Sequence, residues 1–459
     1  MNQAADVQLP PPISVKLTEK TRNETKVRII LLALARCFIM GGYVLLCTLK
    51  VSVFDAFVGL KHQPVAKMWS LLVIFFLLMI YNYLVDALPR HQLFYVIGIF
   101  YTMLFLAITI GLNHSMYGMD GTHPAKFLGW LSFFAIESYG SLAVTLFWSF
   151  LNSVYTIKGA KETYGYIIAV SQVGSIIGPA LVANNRYLGG IPPVFAVGSI
   201  CPLLAAGVMF AYMRKYGFSD MENKQVNSVE NGKKTGIFEG LRLFVRYPYV
   251  SGIFAISCLF EITSTIMDYE MLTLAREVYT NKEDFAAFSG RYGVFVNIFT
   301  LVFALGGSKF LFKTFRLRGI LVSFPVCVLA TVVLIYVCPT LNIALGGMIF
   351  VSALSYAINN PAKEMLYSVT TTDIKFKSKS WIDAFGGRFA KASGSGFNNA
   401  FNASTDMLLT YGSIVSISLS VLLVFGAFIM GSKCEQYQTS NFKVGVKQQD
   451  PKEVALTLA

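Results

Sequence analysis

Six ionisable side chains stand inside or beside runs otherwise apolar enough for lipid: Lys50, Glu137, Glu261, Lys363, Arg388 and Lys391. An ionised group at mid-bilayer costs roughly 2.5–3.5 kcal/mol on insertion scales. Such residues therefore line a wet cavity, pair with one another, or mark a pathway. Four of the six are cations and two are carboxylates, so an anion completes the neutralisation when it binds. Arg388 and Lys391 are spaced i, i+3, which sets both on one helical face. Gly386, Gly387, Ser393, Gly394, Ser395 and Gly396 surround them and leave room for a bulky ligand. Arginine brings a planar fork that matches phosphate oxygens, and lysine a point charge. The chemistry on offer is reversible binding of an anion.

Each of these residues also has a plainer reading. Lys50 follows the apolar run 29–49 and could snorkel from a span end as well as face a cavity. Glu137 and Glu261 lie too deep for that; they are coupling sites or ion-pair partners of the cavity lysines. Arg291 reads as a cap on the outer end of the eighth span. Tyr139, Trp148, Tyr356 and Phe385 are close enough in sequence to offer a stacking surface, although packing is the commoner use of such rings. The stretch 359–396 concentrates the polar signal, with Pro361 to break its helix and Lys375, Lys377 and Lys379 in the middle.

The elements that must position these groups follow from composition. The chain has 459 residues, 55% hydrophobic and only 14% charged, against about 25% charged in a soluble domain. It is a multi-pass helical membrane protein. Cys37, Cys47, Cys201, Cys258, Cys327, Cys338 and Cys434 form no CxxC pair and read as buried free thiols. The histidines His62, His91, His114 and His123 all fall in predicted loops. With no nucleophile motif either, an enzyme has little to work with, and neither a metal nor a cofactor is expected. The N-terminal stretch lacks an apolar core and is not a secretory signal.

A span needs about 20 mostly apolar residues. Such runs occur near 29–49, 67–88, 92–112, 127–151, 164–183 and 191–213, then near 249–272, 288–308, 318–338, 341–362, 381–401 and 407–431. The expected fold is an all-α membrane protein of twelve transmembrane helices in two six-helix halves, major-facilitator-like. Its parts are a tail at 1–28, a half at 29–213, a linker at 214–248, a half at 249–431 and a tail at 432–459. Lys and Arg set the orientation. With both termini cytoplasmic, twenty-six of the 38 fall on the cytoplasmic side and six on the other: Lys61, Lys67, Lys126, Arg186, Arg276 and Lys282. The net charge of +13 thus follows topology, and no nucleic-acid partner is implied.

Two stretches resemble the ATP/ADP translocase (nucleotide transporter) family of obligate intracellular bacteria, plastids and microsporidia. One is Glu137-Ser138-Tyr139-Gly140-Ser141, Phe147-Trp148, Asn152 and Ala160-Lys161-Glu162-Thr163-Tyr164. The other, more specific, is Lys363-Glu364-Met365-Leu366-Tyr367, Lys375-Phe376-Lys377-Ser378-Lys379, Ile382-Asp383 and Gly387-Arg388-Phe389-Ala390-Lys391-Ala392-Ser393-Gly394. The resemblance implies nucleotide transport by counter-exchange or proton symport. It also implies functional roles for a first-span lysine, carboxylates in the fourth and seventh spans, and an eleventh-span lysine, here Lys50, Glu137, Glu261 and Lys391. Two departures leave the particular nucleotide open: Lys50 is flanked by Thr48, Leu49, Val51 and Ser52, and Tyr139 stands where the family has Trp.

The expected function is therefore import or exchange of nucleotides by alternating access, with a cationic midplane site for phosphates. The alternative is a proton-coupled carrier of another organic anion or nucleotide-containing metabolite. Expected partners are a phosphorylated anionic substrate, the lipid bilayer, and protons as a candidate coupling ion, for a monomer in a bacterial inner membrane.

Overall fold

Hydrocarbon offers no hydrogen-bond partner to a backbone amide, so long apolar runs must close their bonds internally as helices. The computed structural model describes residues 19–154, 157–217, 246–303, 317–371, 374, 378, 382–440 and 442–445, and these are helical nearly throughout. The first set is α1 (Glu19–Phe57), α2 (Gln63–Ala87), α3 (Arg90–Leu112), α4 (Lys126–Val154), α5 (Ile157–Ala183) and α6 (Ile191–Tyr216). The second is α7 (Pro248–Val278), α8 (Lys282–Val302), α9 (Leu317–Val337), α10 (Leu341–Leu354), α11 (Gly387–Phe401) and α12 (Ser413–Thr439). The linker from 218 to 245 and the cluster Lys375, Lys377 and Lys379 lie outside the described residues.

Three helices change pitch. α10 passes through a π-helical turn, Ser355–Asn359, into Asn360–Leu366. Pro361 accounts for this, because its ring removes the N–H that would bond the Ala357 carbonyl. Further π turns, Ile382–Gly386 and Leu408–Gly412, lead into α11 and α12.

Among the described residues, eleven helices are long and apolar enough to cross a membrane. The exception is α11, which has 15 residues and carries Arg388 and Lys391. It is held by packing on α7 and α2. Gly394 brings its backbone against α7, where a Cβ would stand 2.9 Å from the Ile262 carbonyl oxygen. Asn398 donates to the Thr265 carbonyl at 3.2 Å.

Among the described residues two large apolar cores form, one around Leu46, Phe105, Phe147 and Phe195, the other around Phe260, Phe324, Val351 and Leu423, with a small third cluster of Phe54, Ala66 and Phe133. The two large cores meet where α5 packs on α8 and α2 on α11, with α1 also touching α8. The α5–α8 approach is close because Gly293 faces Pro179, which lies inside α5. All seven cysteines are free, but only Cys434 is buried and Cys338 is exposed. This corrects the expectation of buried thiols: a bundle made for lipid leaves much of its apolar surface outside the core.

Candidate functional site

α1 runs well past residue 49, so Lys50 lies within a helix and not at its end. The end-anchor reading therefore fails. Its side chain is 7% exposed and its ammonium pairs with Glu137 of α4, above the Phe133 ring at 4.9 Å. Removing either partner would leave the other as an uncompensated buried charge. One turn along α4, Ser141 donates to the Glu137 carbonyl at 2.8 Å and accepts an N–H from Arg388 of α11. A single turn of α4 thus holds a lysine from its own half and an arginine from the other. Three residues along α11, Lys391 faces Glu261 of α7 across 3.7 Å, with its side chain 60% exposed. That pair is loose and open to a second anion.

Beside these charges lies a cavity of about 420 Å³ between α1, α2, α5, α7, α8 and the π turn of α10, a size typical of small-molecule sites. Lys50, Lys67, Gln172, Asp268, Asn297 and Tyr356 are among its lining residues. Lys67 and Asp268 pair across the two halves at 3.0 Å.

The structure thus brings together five of the six residues singled out by sequence. Lys363 lies apart, in a smaller cavity of about 250 Å³ with Ser257, Asn360, Glu364 and Tyr367. Arg291 caps nothing, because α8 already begins at Lys282 behind the Asn281 cap; it is exposed, 5.8 Å from the Tyr279 ring centroid. Of the aromatics, Tyr139 is core, 1% exposed and packed on Tyr101 and Phe105. Phe385 stacks on Phe389, and Tyr356 lines the cavity.

Sequence reasoning missed Lys67 and Asp268. Lys67 sits at the start of an apolar run and read as a loop charge. Asp268 had a signal in hand: it follows Glu261 by seven residues, two turns along one face of α7. Glu270 was missed as well. It is fully buried outside this constellation, 3.2 Å from Ser413 of α12.

Among the described residues, four ion pairs join the halves, and all lie toward the side away from the chain termini. Besides Lys67–Asp268 they are Asp55–Arg276 at 2.7 Å, Arg186–Asp284 at 2.7 Å, and Asp120–Lys282. Neutral bonds add to them: Asn402 donates to the Lys61 carbonyl at 2.6 Å, and Asn185 to that of Glu283 at 3.0 Å.

Comparison with known proteins bears on this arrangement. Residues 130–341 match the family model described as TLC ATP/ADP transporter. The chain is 22% identical over 438 residues to ADP,ATP carrier protein 4 of Rickettsia bellii (strain RML369-C), with 83% of each chain covered. Among solved structures, a bacterial homologue of the iron transporter ferroportin superposes with a TM-score of 0.64 at 13% identity, covering 89% of this chain and 99% of that one. The nucleoside transporter NupG does so with a TM-score of 0.58 at 12% identity, covering 88% and 98%. At such identities the solved structures speak for the fold alone, that of two-halved, major-facilitator-like transporters.

Proposed function

The chain belongs to the ATP/ADP translocase family, and from that premise we propose that it carries a nucleotide across a membrane by alternating access. Lys50, Arg388 and Lys391 are the phosphate ligands of a site near the midplane. Glu137 and Glu261 hold two of these cations while the carrier is empty, and the substrate's phosphates take their place on binding. The observation that carries this reading is the run of charges from Lys50 through Glu137 and Arg388 to Lys391 and Glu261. It reaches from one half to the other, so one bound polyphosphate touches both. Lys391, loosely paired and exposed, is the first to exchange its carboxylate for phosphate. Lys363, in its own cavity toward the terminus side, serves the approach and not the site.

The skew of Lys and Arg supports placing both termini in the cytoplasm, and the Rickettsia relative supports a bacterial inner membrane. With the four inter-half pairs on the far side, the closed face is then the outer one. The carrier works as a monomer. Where transport is not an obligatory exchange, Glu137 or Glu261 takes the coupling proton once its cation is engaged by substrate.

The test is uptake of labelled ATP by bacterial cells expressing the chain, with unlabelled nucleotides, nucleosides and organic anions as competitors. Saturable uptake that one nucleotide suppresses supports the reading and names the substrate. Uptake of another organic anion, insensitive to every nucleotide, would replace it with the proton-coupled organic-anion carrier.

A further inference from the structure

Arg36 is the one cation within the apolar run 29–49 of α1, and the mechanism above does not use it. It is 8% exposed. Its Nε and Nη1 are enclosed and have no hydrogen-bond partner, and no carboxylate among the described residues pairs with it. Instead its guanidinium lies 4.4 Å from the centroid of Trp148 and 5.3 Å from that of Phe147, both on α4. Aromatic faces attract a cation but accept its N–H groups only weakly. A guanidinium carries five N–H donors in a fixed fork; the three on Nε and Nη1 are unmet here, and that is costly away from water.

Its position supplies a reason. One turn after Arg36, the same face of α1 lines the cavity at Met40, then at Tyr43, Val44, Cys47 and Lys50. On α4, Trp148 lies along the face that carries Glu137 and Ser141, at i, i+4 and i+11. The Arg36–Trp148 pair and the Lys50–Glu137 pair are therefore two ends of one strip shared by neighbouring helices. They stand about 21 Å apart along α1 at 1.5 Å per residue, and Arg36 is at the terminus end.

We propose that Arg36, packed over the Trp148 indole, is a second phosphate-binding site, which engages the transported nucleotide at the terminus-side mouth before it reaches Lys50. This rests on the nucleotide-carrier reading. The geometry favours phosphate because the fork offers two parallel N–H groups to two oxygens. A lysine at the same position would offer only a point charge.

Two measurements test it. In the first, uptake of labelled ATP is compared between the wild-type chain, Arg36→Gln and Arg36→Lys, with membrane amounts matched. Arg36→Gln is expected to raise KM for ATP at least tenfold, with a smaller change in kcat and a smaller rise for AMP. Arg36→Lys is expected to raise KM about threefold. In the second, Trp69, Trp130 and Trp381 are replaced by Phe in purified protein, leaving Trp148 as the sole reporter. Its fluorescence is then titrated with inorganic tripolyphosphate. A saturable change is expected, at least tenfold weaker in Arg36→Gln and intermediate in Arg36→Lys. Wild-type KM together with an unchanged titration in Arg36→Gln overturns the proposal. Should that variant not accumulate, wild-type values in Arg36→Lys overturn it. Should the unaltered chain take up no nucleotide, the carrier reading falls, and the tripolyphosphate titration still decides whether Arg36 binds an anion.

Discussion

The two lysine–carboxylate pairs differ in how much each partner depends on the other. Lys50 and Glu137 are 7% and 24% exposed; Lys391 and Glu261 are 60% and 29% exposed, 3.7 Å apart. Breaking a buried pair costs about 3–5 kcal/mol by stranding the surviving charge, so Lys50→Ala is expected to lower the amount of folded carrier in the membrane. Lys391→Ala removes a side chain that packs little. It is expected to leave the membrane amount unchanged by immunoblot while cutting ATP uptake at least tenfold; near-normal uptake would remove Lys391 from the site. These residues were legible because a charge deep in an apolar run has few uses. Lys67 and Arg36 were not. Lys67 opens its run and Arg36 lies only two turns inside its own, within a long side chain's reach of the interface, where hydropathy cannot tell a lysine or arginine reaching for the interface from one turned inward. Only the partners settle that: Asp268 for Lys67, and the Trp148 face for Arg36.

Eleven of the crossings were readable from apolar run lengths, and Pro361 foretold the change of pitch after α10. Helix ends were not, because a helix is held by backbone bonds that continue where hydrophobicity stops. α1 therefore carries Lys50 and Asp55 inside its last turns. How closely helices approach was also beyond run lengths, since it rests on single glycines. At Gly178 of α5 a Cβ would lie 2.7 Å from the Gly41 carbonyl oxygen and 3.0 Å from the Leu45 amide nitrogen, both on α1. Such crossings exist because a missing side chain lets backbones meet. Overpacking typically costs about 1–3 kcal/mol, and here the obstacle is backbone that cannot swing aside. Gly178→Leu is accordingly expected to lower the melting temperature of the detergent-solubilised carrier by several degrees or prevent its accumulation. Gly165→Leu, where a Cβ meets nothing within 4 Å, should melt with the wild type.

At the scale of the molecule, four ion pairs among the described residues join the two halves on the side away from the termini. Exposed pairs contribute about 0.2–1 kcal/mol each, and partly buried ones such as Asp55–Arg276 are screened less, so together they amount to a latch of a few kcal/mol. A ligand that prefers the other state by that much can overturn it. Removing Arg276 and Lys282 together should therefore shift the carrier toward opening on this face. With the native cysteines replaced by Ser and Gln63→Cys placed in the cavity wall, a membrane-impermeant maleimide applied from that face should label the Arg276→Ala/Lys282→Ala variant several times faster than its parent. Equal rates would mean that the pairs are ornamental. The charge skew already put Lys67, Arg186, Arg276 and Lys282 on one side. Their partners were hidden because each lies in the opposite half, between 98 and 221 residues away in the chain.

The polarity of α11 also bears on how the chain is made. Arg and Lys each cost about 2.5–3.5 kcal/mol at the centre of an inserting helix, so a segment with both, diluted by glycine and asparagine, will not leave the translocon for lipid by itself. It has to wait beside α2 and α7, on which it packs, until the strongly apolar α12 emerges and anchors the far end. A chain truncated after residue 404 and fused to a topology reporter should therefore place the reporter on the terminus side, and only a chain extended through α12 should thread α11 across. Biogenesis of this carrier would then be post-insertional at one helix: the segment bearing Arg388 and Lys391 enters last, drawn into a bundle whose other members already span the bilayer.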